Sequence, residues 1–248
     1  MSRHTLALLV FSLMSAAQAQ YSAGGWSTPI QSFNNIYQAN VYMAYSNLMN
    51  TTQMAINKAV MQSYFKQNRQ KQGGSALPPS IPKTTFSPGP KPLLAQAFAQ
   101  SLTKNKAQQA ELVKVFELGL ELYEDEARRL DRPNNVAMAF TYFVGVCYLV
   151  YTGEEPSEQA LLGLWRVVEE AFGGSPEFKK ATGPERQRLY ELFVLMATLP
   201  LAGYSVATQE NDAALMKTYQ EIAGGLLSVV LGVKPEQLRF TDRGLEVR

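Results

Sequence analysis

Five carboxylates crowd one stretch of this chain: Glu117, Glu121, Glu124, Asp125 and Glu126. Two carboxyl groups held about 5–10 Å apart across a cleft, one with a raised pKa, can cleave a glycosidic bond with no other catalytic group. A carboxylate-dependent glycan hydrolase acting on cell-wall material is therefore one chemistry the residues permit. Their spacing also fits a solvated helix face. Glu124 and Asp125 stand four positions before Arg128 and Arg129, and Lys114 stands three before Glu117. Opposite charges at these intervals pair along a helix surface, and that is the reading the spacing favours. Glu154-Glu155 fall at a helix start, where the macrodipole welcomes them. Glu169-Glu170 fall at a helix end and are expected to face solvent.

Ser-x-x-Lys occurs at Ser63–Lys66, Ser80–Lys83 and Ser101–Lys104. On a helix this spacing lets lysine reach a serine hydroxyl, as in acyl-enzymes, but those enzymes also need Ser-Asp-Asn and Lys-Thr-Gly elements. Neither is present, so the repeats carry no catalytic assignment. His4 is the only histidine. If the first residues are removed, Ser-His and Cys-His catalysis, histidine-containing zinc sites and carboxylate–histidine di-iron sites all go with it. Cys147 is the only cysteine and lies in an apolar stretch, so it forms no intramolecular disulfide and reads as a small buried hydrophobe. Asp125, Asp131, Asp242 and Glu246 lack the spacing of a calcium loop. No phosphate-binding glycine motif occurs. The sequence thus implies no catalytic residue, no metal site and no cofactor.

The N-terminus has the parts of a secretory signal: a positive Arg3-His4, an apolar Leu6–Met14 and a small-residue cleavage site at Ala17-Gln18-Ala19. The chain is expected to be exported, periplasmic or extracellular, after cleavage near Ala19. Charge is divided sharply. Glu111 is the first acidic residue, and all 21 carboxylates follow it. Between the signal and Glu111 lie eight basic residues; from Glu111 onward 14 basic residues face the 21 acidic ones. A near-neutral whole conceals a basic front and an acidic body. Eight cations over about ninety residues are too dilute for nucleic-acid binding, which export also disfavours. An envelope protein or an anionic envelope polymer is the expected partner, alongside simple neutralisation of the chain's own acidic body.

These charges sit on a mainly helical frame. Residues 1–19 form the signal and 20–72 a polar, aromatic N-terminal arm. Its first part, residues 20–35, has no helical or strand period. From Asn35 to Gln70, Tyr37, Val41, Tyr45, Leu48, Ala55, Ala59 and Tyr64 recur at helical intervals, predicting one long helix. Its polar face is uncharged up to Lys58 and basic beyond. Tyr37, Tyr42, Tyr45, Lys58, Lys66 and Arg69 are the candidate partner-binding residues of this arm. Residues 73–92 carry six prolines and read as a semi-rigid linker. Residues 93–248 read as a helical domain, with helices over about 93–102, 106–131, 134–151, 156–172, 184–203 and 211–231. Thr182 to Glu185 resembles a capping box, and Pro200 is expected to kink or end the fifth of these helices. Short alternations around Asp242-Arg243-Gly244 suggest a small hairpin. The fold class is all-α: an irregular bundle of about five to six helices with a separate N-terminal helix and a small C-terminal hairpin.

Val136–Tyr151 is apolar and uncharged but shorter than the roughly twenty residues a membrane span needs. A buried core helix is expected there and no transmembrane span, with a membrane-associated subunit the second alternative to a binding role. The C-terminal stretch LGVKPEQLRFTDRGLEV, the helix-rich body, the export signal and the proline linker together resemble a family of exported bacterial proteins with a domain of unknown function. The resemblance covers roughly residues 93–248 and leaves out the arm. It implies the helical fold and no activity. A non-enzymatic envelope protein that binds through its uncharged, aromatic-studded helix is the function the sequence favours.

Overall fold

The structure, a computed structural model, describes Ile36, residues 38–70 and residues 84–248; the expected signal and lead-in (1–35), Tyr37 and residues 71–83, with the first part of the expected linker, lie outside the described residues. Among the described residues the fold is all-α apart from one hairpin. In order, the helices are α1 (Gln38–Leu48), α2 (Thr51–Gln70), α3 (Ala95–Leu102), α4 (Lys106–Arg129), α5 (Val136–Thr152), α6 (Glu158–Gly174), α7 (Pro176–Lys180), α8 (Gly183–Gln209) and α9 (Ala213–Leu231). A 3-10 turn at Pro235–Gln237 leads to β1 (Leu238–Thr241) and β2 (Gly244–Val247).

Helix α5 has no polar face, so it must be covered on all sides. It lies at the centre, against α6, α8 and α9. Phe140, Phe143, Phe172 and Phe193 interlock there edge to face and stacked, with ring centroids 5.1–6.5 Å apart. Cys147 is fully buried in this core, and burial pushes its thiol pKa well up, which keeps it protonated and unreactive. Helix α8 is the second core helix. It is long and apolar enough to cross a membrane by length and composition, yet 89% of its apolar window is buried within the fold.

The predicted capping box opens α8. The Glu185 amide donates to the Thr182 hydroxyl, and the Glu185 carboxylate accepts from the Thr182 amide. Pro200 does not end this helix, which runs on to Gln209. An interior proline costs about 3 kcal/mol. Burying Leu199, Leu201 and Val206 beside it is worth about 1.5–3 kcal/mol each, so packing wins. Just beyond, Gly203 lets the buried Tyr219 ring of α9 lie directly on the α8 backbone.

The C-terminal hairpin forms as expected, pairing Leu238 with Val247 through Thr241 with Gly244. It packs on α6 where Gly163 has no side chain; a Cβ there would fall 2.5 Å from the Arg243 carbonyl carbon. The five-residue α7, held by Ser175 as its N-cap, lies outside the predicted pattern because it is too short to show a period.

The N-terminal region differs most from expectation. Where the periodicity predicts one helix standing apart, two helices pack into the same core as the body. Their break is a reciprocal cap at Asn50: its side chain accepts from the Gln53 amide at 2.9 Å, and Gln53 Oε1 accepts from the Asn50 amide at 3.0 Å. Helix α1 lies on α3 and α9, and α2 on α6 and α7. Val41, Tyr45, Leu48, Ile56, Val60 and Tyr64 are buried by this docking. Polar bonds fix the register. Asn57 Nδ2 donates to the Val230 carbonyl at 3.0 Å, and Tyr64 Oη to the Leu245 carbonyl at 2.6 Å.

Candidate functional site

Two features place polar chemistry in unusual settings: a set of buried carboxylates beneath the segment that leads into α3, and the outer face of α1 and α2. In the first, Glu169 on α6 is fully buried rather than solvent-facing. Its Oε1 accepts from the Thr84 amide at 3.0 Å, and its Oε2 from the Thr84 hydroxyl at 2.7 Å and Asn135 Nδ2 at 3.1 Å. The burial has a local cause. Thr84 and Asn135 must meet because the Val136 amide donates to the Thr84 carbonyl and Phe86 to Asn134, and the donors left over at that crossing need an acceptor. On α8, Glu191 accepts from the Leu93 and Leu94 amides at 2.7 and 2.9 Å and so holds the two residues that lead into α3. Gln187, one turn earlier, bridges the Gly89 amide and the Lys91 carbonyl. Residues 84–94 are thereby stitched to the body, and the second half of the expected linker is a fixed strap.

Glu124 is the third member. It accepts from the Tyr190 hydroxyl, whose ring touches Phe86 of the strap and Tyr123 of α4. Burial raises the pKa of Glu124, opposed by the Tyr190 hydrogen bond and by Arg128. Burial raises that of Glu191 as well, opposed by Gln187 and the two backbone amides. The same surroundings push Tyr190 and Tyr123 up. The Tyr123 hydroxyl is buried with no hydrogen-bond partner.

The sign of the resulting pH dependence follows. With pKa values raised in the fold, the native state binds protons more readily than the unfolded chain just above the ordinary carboxylate range. These two groups favour folding on the acid side of that window, and the contribution is lost as pH rises through the raised values. In urea titrations, the wild type should therefore gain stability relative to a Glu124→Gln/Glu191→Gln variant as pH is lowered from 7 toward 4.5. A pH-independent difference between the two would contradict this.

Of the other carboxylates of α4, Glu126 is buried too and the rest lie at or near the surface. Glu117 and Glu121 are exposed. Lys114 pairs with Glu111, not with Glu117. Asp125 pairs with Arg128 and Glu126 with Arg129, at three-residue rather than four-residue spacing, because Glu124 turns inward to Tyr190. The Ser101 hydroxyl donates to the Ala97 carbonyl of its own helix, away from any nucleophilic role, and Lys104 is exposed. Lys66, partner of Ser63 in that motif, is exposed too, and Ser80–Lys83 lies outside the described residues. Among the described residues, no group of three or more His, Cys, Asp or Glu side chains is placed to hold a metal ion.

The candidate partner-binding residues divide between two faces. Tyr45 is buried against the body, which pushes its phenol up to about 12. Tyr42 is half-buried, with its hydroxyl on Gly225 and toward the Glu221 carbonyl. Both tyrosines hold α1 in place, so neither is a free binding residue. Lys58 and Lys66 are exposed on α2. Tyr37 and the Arg69 side chain lie outside the described residues.

Facing outward beside the two lysines are residues that reading for charge and aromatics passed over: Met43, Met54, Asn47, Asn50, Thr51 and Thr52. The two methionines are 55% and 48% exposed, the highest values among the exposed large hydrophobic residues described. No charged residue occurs from Thr5 to Asn57. The outer face of α1 and the first turns of α2 therefore carry no ion.

The family model that matches residues 2–248 is described as a family of unknown function (DUF6683). Its span takes in the N-terminal arm as well as the body, and so exceeds the C-terminal two thirds on which the sequence resemblance rested. No curated protein and no solved structure matches the chain.

Proposed function

Because the chain belongs to this family of unknown function, we propose its role from the geometry: a non-enzymatic interaction module of the cell envelope, exported through the Arg3 to Ala19 signal and docking through the outer face of α1 and α2. The absence of charge on that face carries the reading. Soluble protein surfaces are typically about 25–35% Lys, Arg, Glu and Asp. Interface cores are depleted of Lys, Glu and Asp and enriched in Met. The outer face has the second composition, with Lys58 and Lys66 at one end as a polar rim. The inner face of the same helices is anchored on the body, so the outer face is presented on a rigid support.

The test is a crosslinking pull-down from the native envelope with wild type and with Met43→Glu/Met54→Glu. Both methionines are exposed, so circular dichroism should show the fold unchanged. Capture should fall about tenfold or more, equivalent to ~1.4 kcal/mol or more of binding. Undiminished capture by the folded variant would overturn the reading.

One observation favours a second reading, hydrolysis of cell-wall glycan: Glu124 combines partial burial with a raised pKa, as a general acid requires. Its test is turnover of purified cell-wall glycan by wild type and Glu124→Gln; hydrolysis lost in the variant supports it, and none by the wild type excludes it.

A further inference from the structure

We propose that Asn50 is a modification site, the acceptor of an N-linked glycan whose donor is a sugar activated as its diphosphate. The proposal rests on the export part of the proposed function and is independent of what docks on the outer face.

Asn50-Thr51-Thr52 is an Asn-x-Ser/Thr acceptor triplet, and no other asparagine of the chain has a serine or threonine two positions on. Such a triplet works only where the asparagine is exposed and its amide nitrogen is available. Asn50 meets both conditions. It lies in the junction between α1, which ends at Leu48, and α2, which begins at Thr51. Asn50, Thr51 and Thr52 are all exposed. The two ends of the Asn50 side chain have different duties. Oδ1 accepts from the Gln53 amide at 2.9 Å and caps α2, while Nδ2 makes no hydrogen bond among the described residues. Asn40, Asn57 and Asn135 differ, because Nδ2 of each is spent on the Leu102 carbonyl, the Val230 carbonyl and the Glu169 carboxylate.

The division of duties lets the modification leave the fold intact. Nδ2 attacks the anomeric carbon of the sugar. A carbon–nitrogen bond forms, the carbon–oxygen bond to the diphosphate breaks, the diphosphate leaves with the bonding pair, and Nδ2 gives up one proton to solvent. Oδ1 takes no part and still accepts from the Gln53 amide afterwards. Access is also early. Gln53 Nε2 donates to the Glu185 carbonyl across 132 residues, and Arg188 to the Leu48 carbonyl across 140. The triplet emerges before these partners exist to lock the junction, and it faces outward once they have.

The experiment is mass spectrometry, on the intact chain and its peptides, of protein purified from its native cells as wild type, Asn50→Asp, Thr52→Ala and Thr52→Ser. Aspartate caps a helix as well as asparagine and keeps an oxygen for the Gln53 amide, but it has no nitrogen to receive the sugar. Wild type and Thr52→Ser should carry a sugar mass on the peptide that holds Asn50. Asn50→Asp and Thr52→Ala should lose it completely, with circular dichroism unchanged. An unmodified Asn50 peptide in the wild type, or a sugar mass that survives in both Asn50→Asp and Thr52→Ala, overturns the proposal. Where the wild type carries the sugar, deleting residues 2–19 separates the two donors: a sugar still added inside the cell assigns a nucleotide-bound donor, and its loss a lipid-borne one. The intact masses also report on the signal. A chain shortened near Ala19 with a bare Asn50 overturns glycosylation alone and leaves the export reading standing; a chain that keeps residues 1–19 and carries the sugar overturns the export reading and leaves the acceptor standing.

Discussion

Replacing Glu169 with alanine should lower the unfolding free energy by about 3 kcal/mol or more. The carboxylate is fully buried and accepts from the Thr84 amide, the Thr84 hydroxyl and Asn135 Nδ2. Without it, the hydroxyl can still turn to Asn135 Oδ1, 3.0 Å away. The Thr84 amide and the Asn135 amide group have no such alternative. Each stranded buried donor costs about 1–3 kcal/mol, and the cavity left by the side chain adds to this. Glu169→Gln keeps one carbonyl oxygen for the Thr84 amide and should lose roughly half as much. Urea unfolding with an unchanged slope would measure both losses. Hydrogen exchange should show the Thr84 and Val136 amides losing protection first. An alanine variant as stable as the wild type would mean that the crossing of residues 84–86 with 134–136 is held by other contacts.

The second large effect is expected at Gly203, and its sign runs against helix propensity. In an exposed helix, Gly→Ala gains about 1 kcal/mol. Here a Cβ would land in the ring of Tyr219, which is fully buried and has nowhere to go. Overpacking of this kind costs about 1–3 kcal/mol and can separate the two helices, so Gly203→Ala should be destabilising by about 2 kcal/mol in thermal or urea unfolding. Gly225 is the internal comparison. A Cβ there would fall 1.4 Å from the Tyr42 hydroxyl and 2.3 Å from its ring, but that side chain is half-buried and can swing outward, giving up its bonds with Gln38 and the Glu221 carbonyl. Gly225→Ala should therefore stay within about 1 kcal/mol of wild type. If the two variants behaved alike, the distinction between a trapped ring and a mobile tip would fail.

The sequence made some of this legible. Helices with one apolar stripe, such as α4, α6 and α9, lie within two residues of where their periodicity puts them, because a stripe records which side is buried. The Thr182–Glu185 box and the hairpin around Asp242-Arg243 were readable for a similar reason: both are local, and a few residues determine them. The docking of α1 and α2 was not readable. Their apolar positions, Val41, Leu48, Ile56 and Val60 with Ala, Tyr and Met, form a stripe among Asn, Gln and Thr, and such a stripe does not say whether its partner is the same chain or another. The cap at Asn50 was visible as Asn-x-x-Gln but lay inside a continuous helical period. Glu169 was misplaced because Glu-Glu at a helix end looks like surface, and only the crossing of two distant loops supplies its donors. Glu191 had a signal that could have been used: it is the only charged residue between Arg188 and Glu210, and a lone carboxylate in an apolar helix is usually buried with partners. The lack of charge on the outer face was legible, since no polar position of these helices before Lys58 carries an ion; which residues form that face was not, because Met43 and Met54 point outward and Tyr45 inward only once the body covers the other side.

The strap also dictates an order of events during synthesis. The Thr84 amide finds its acceptor 85 residues later, and Leu93 finds Glu191 after 98. Asn57 waits 173 residues for Val230, and Tyr64 waits 181 for Leu245. A chain that emerges from its N-terminus can lay α1 on α3, and later α2 on α6 and α7, but these contacts with α9 and the hairpin come last. Until then Val41, Tyr45, Ile56 and Val60 are only partly covered. Closing such long loops is slow, and apolar surface left open meanwhile is prone to aggregate. Truncation at the C-terminus should thus release the N-terminal layer first, and the final hairpin, four residues to a strand, acts as the clasp that completes the fold.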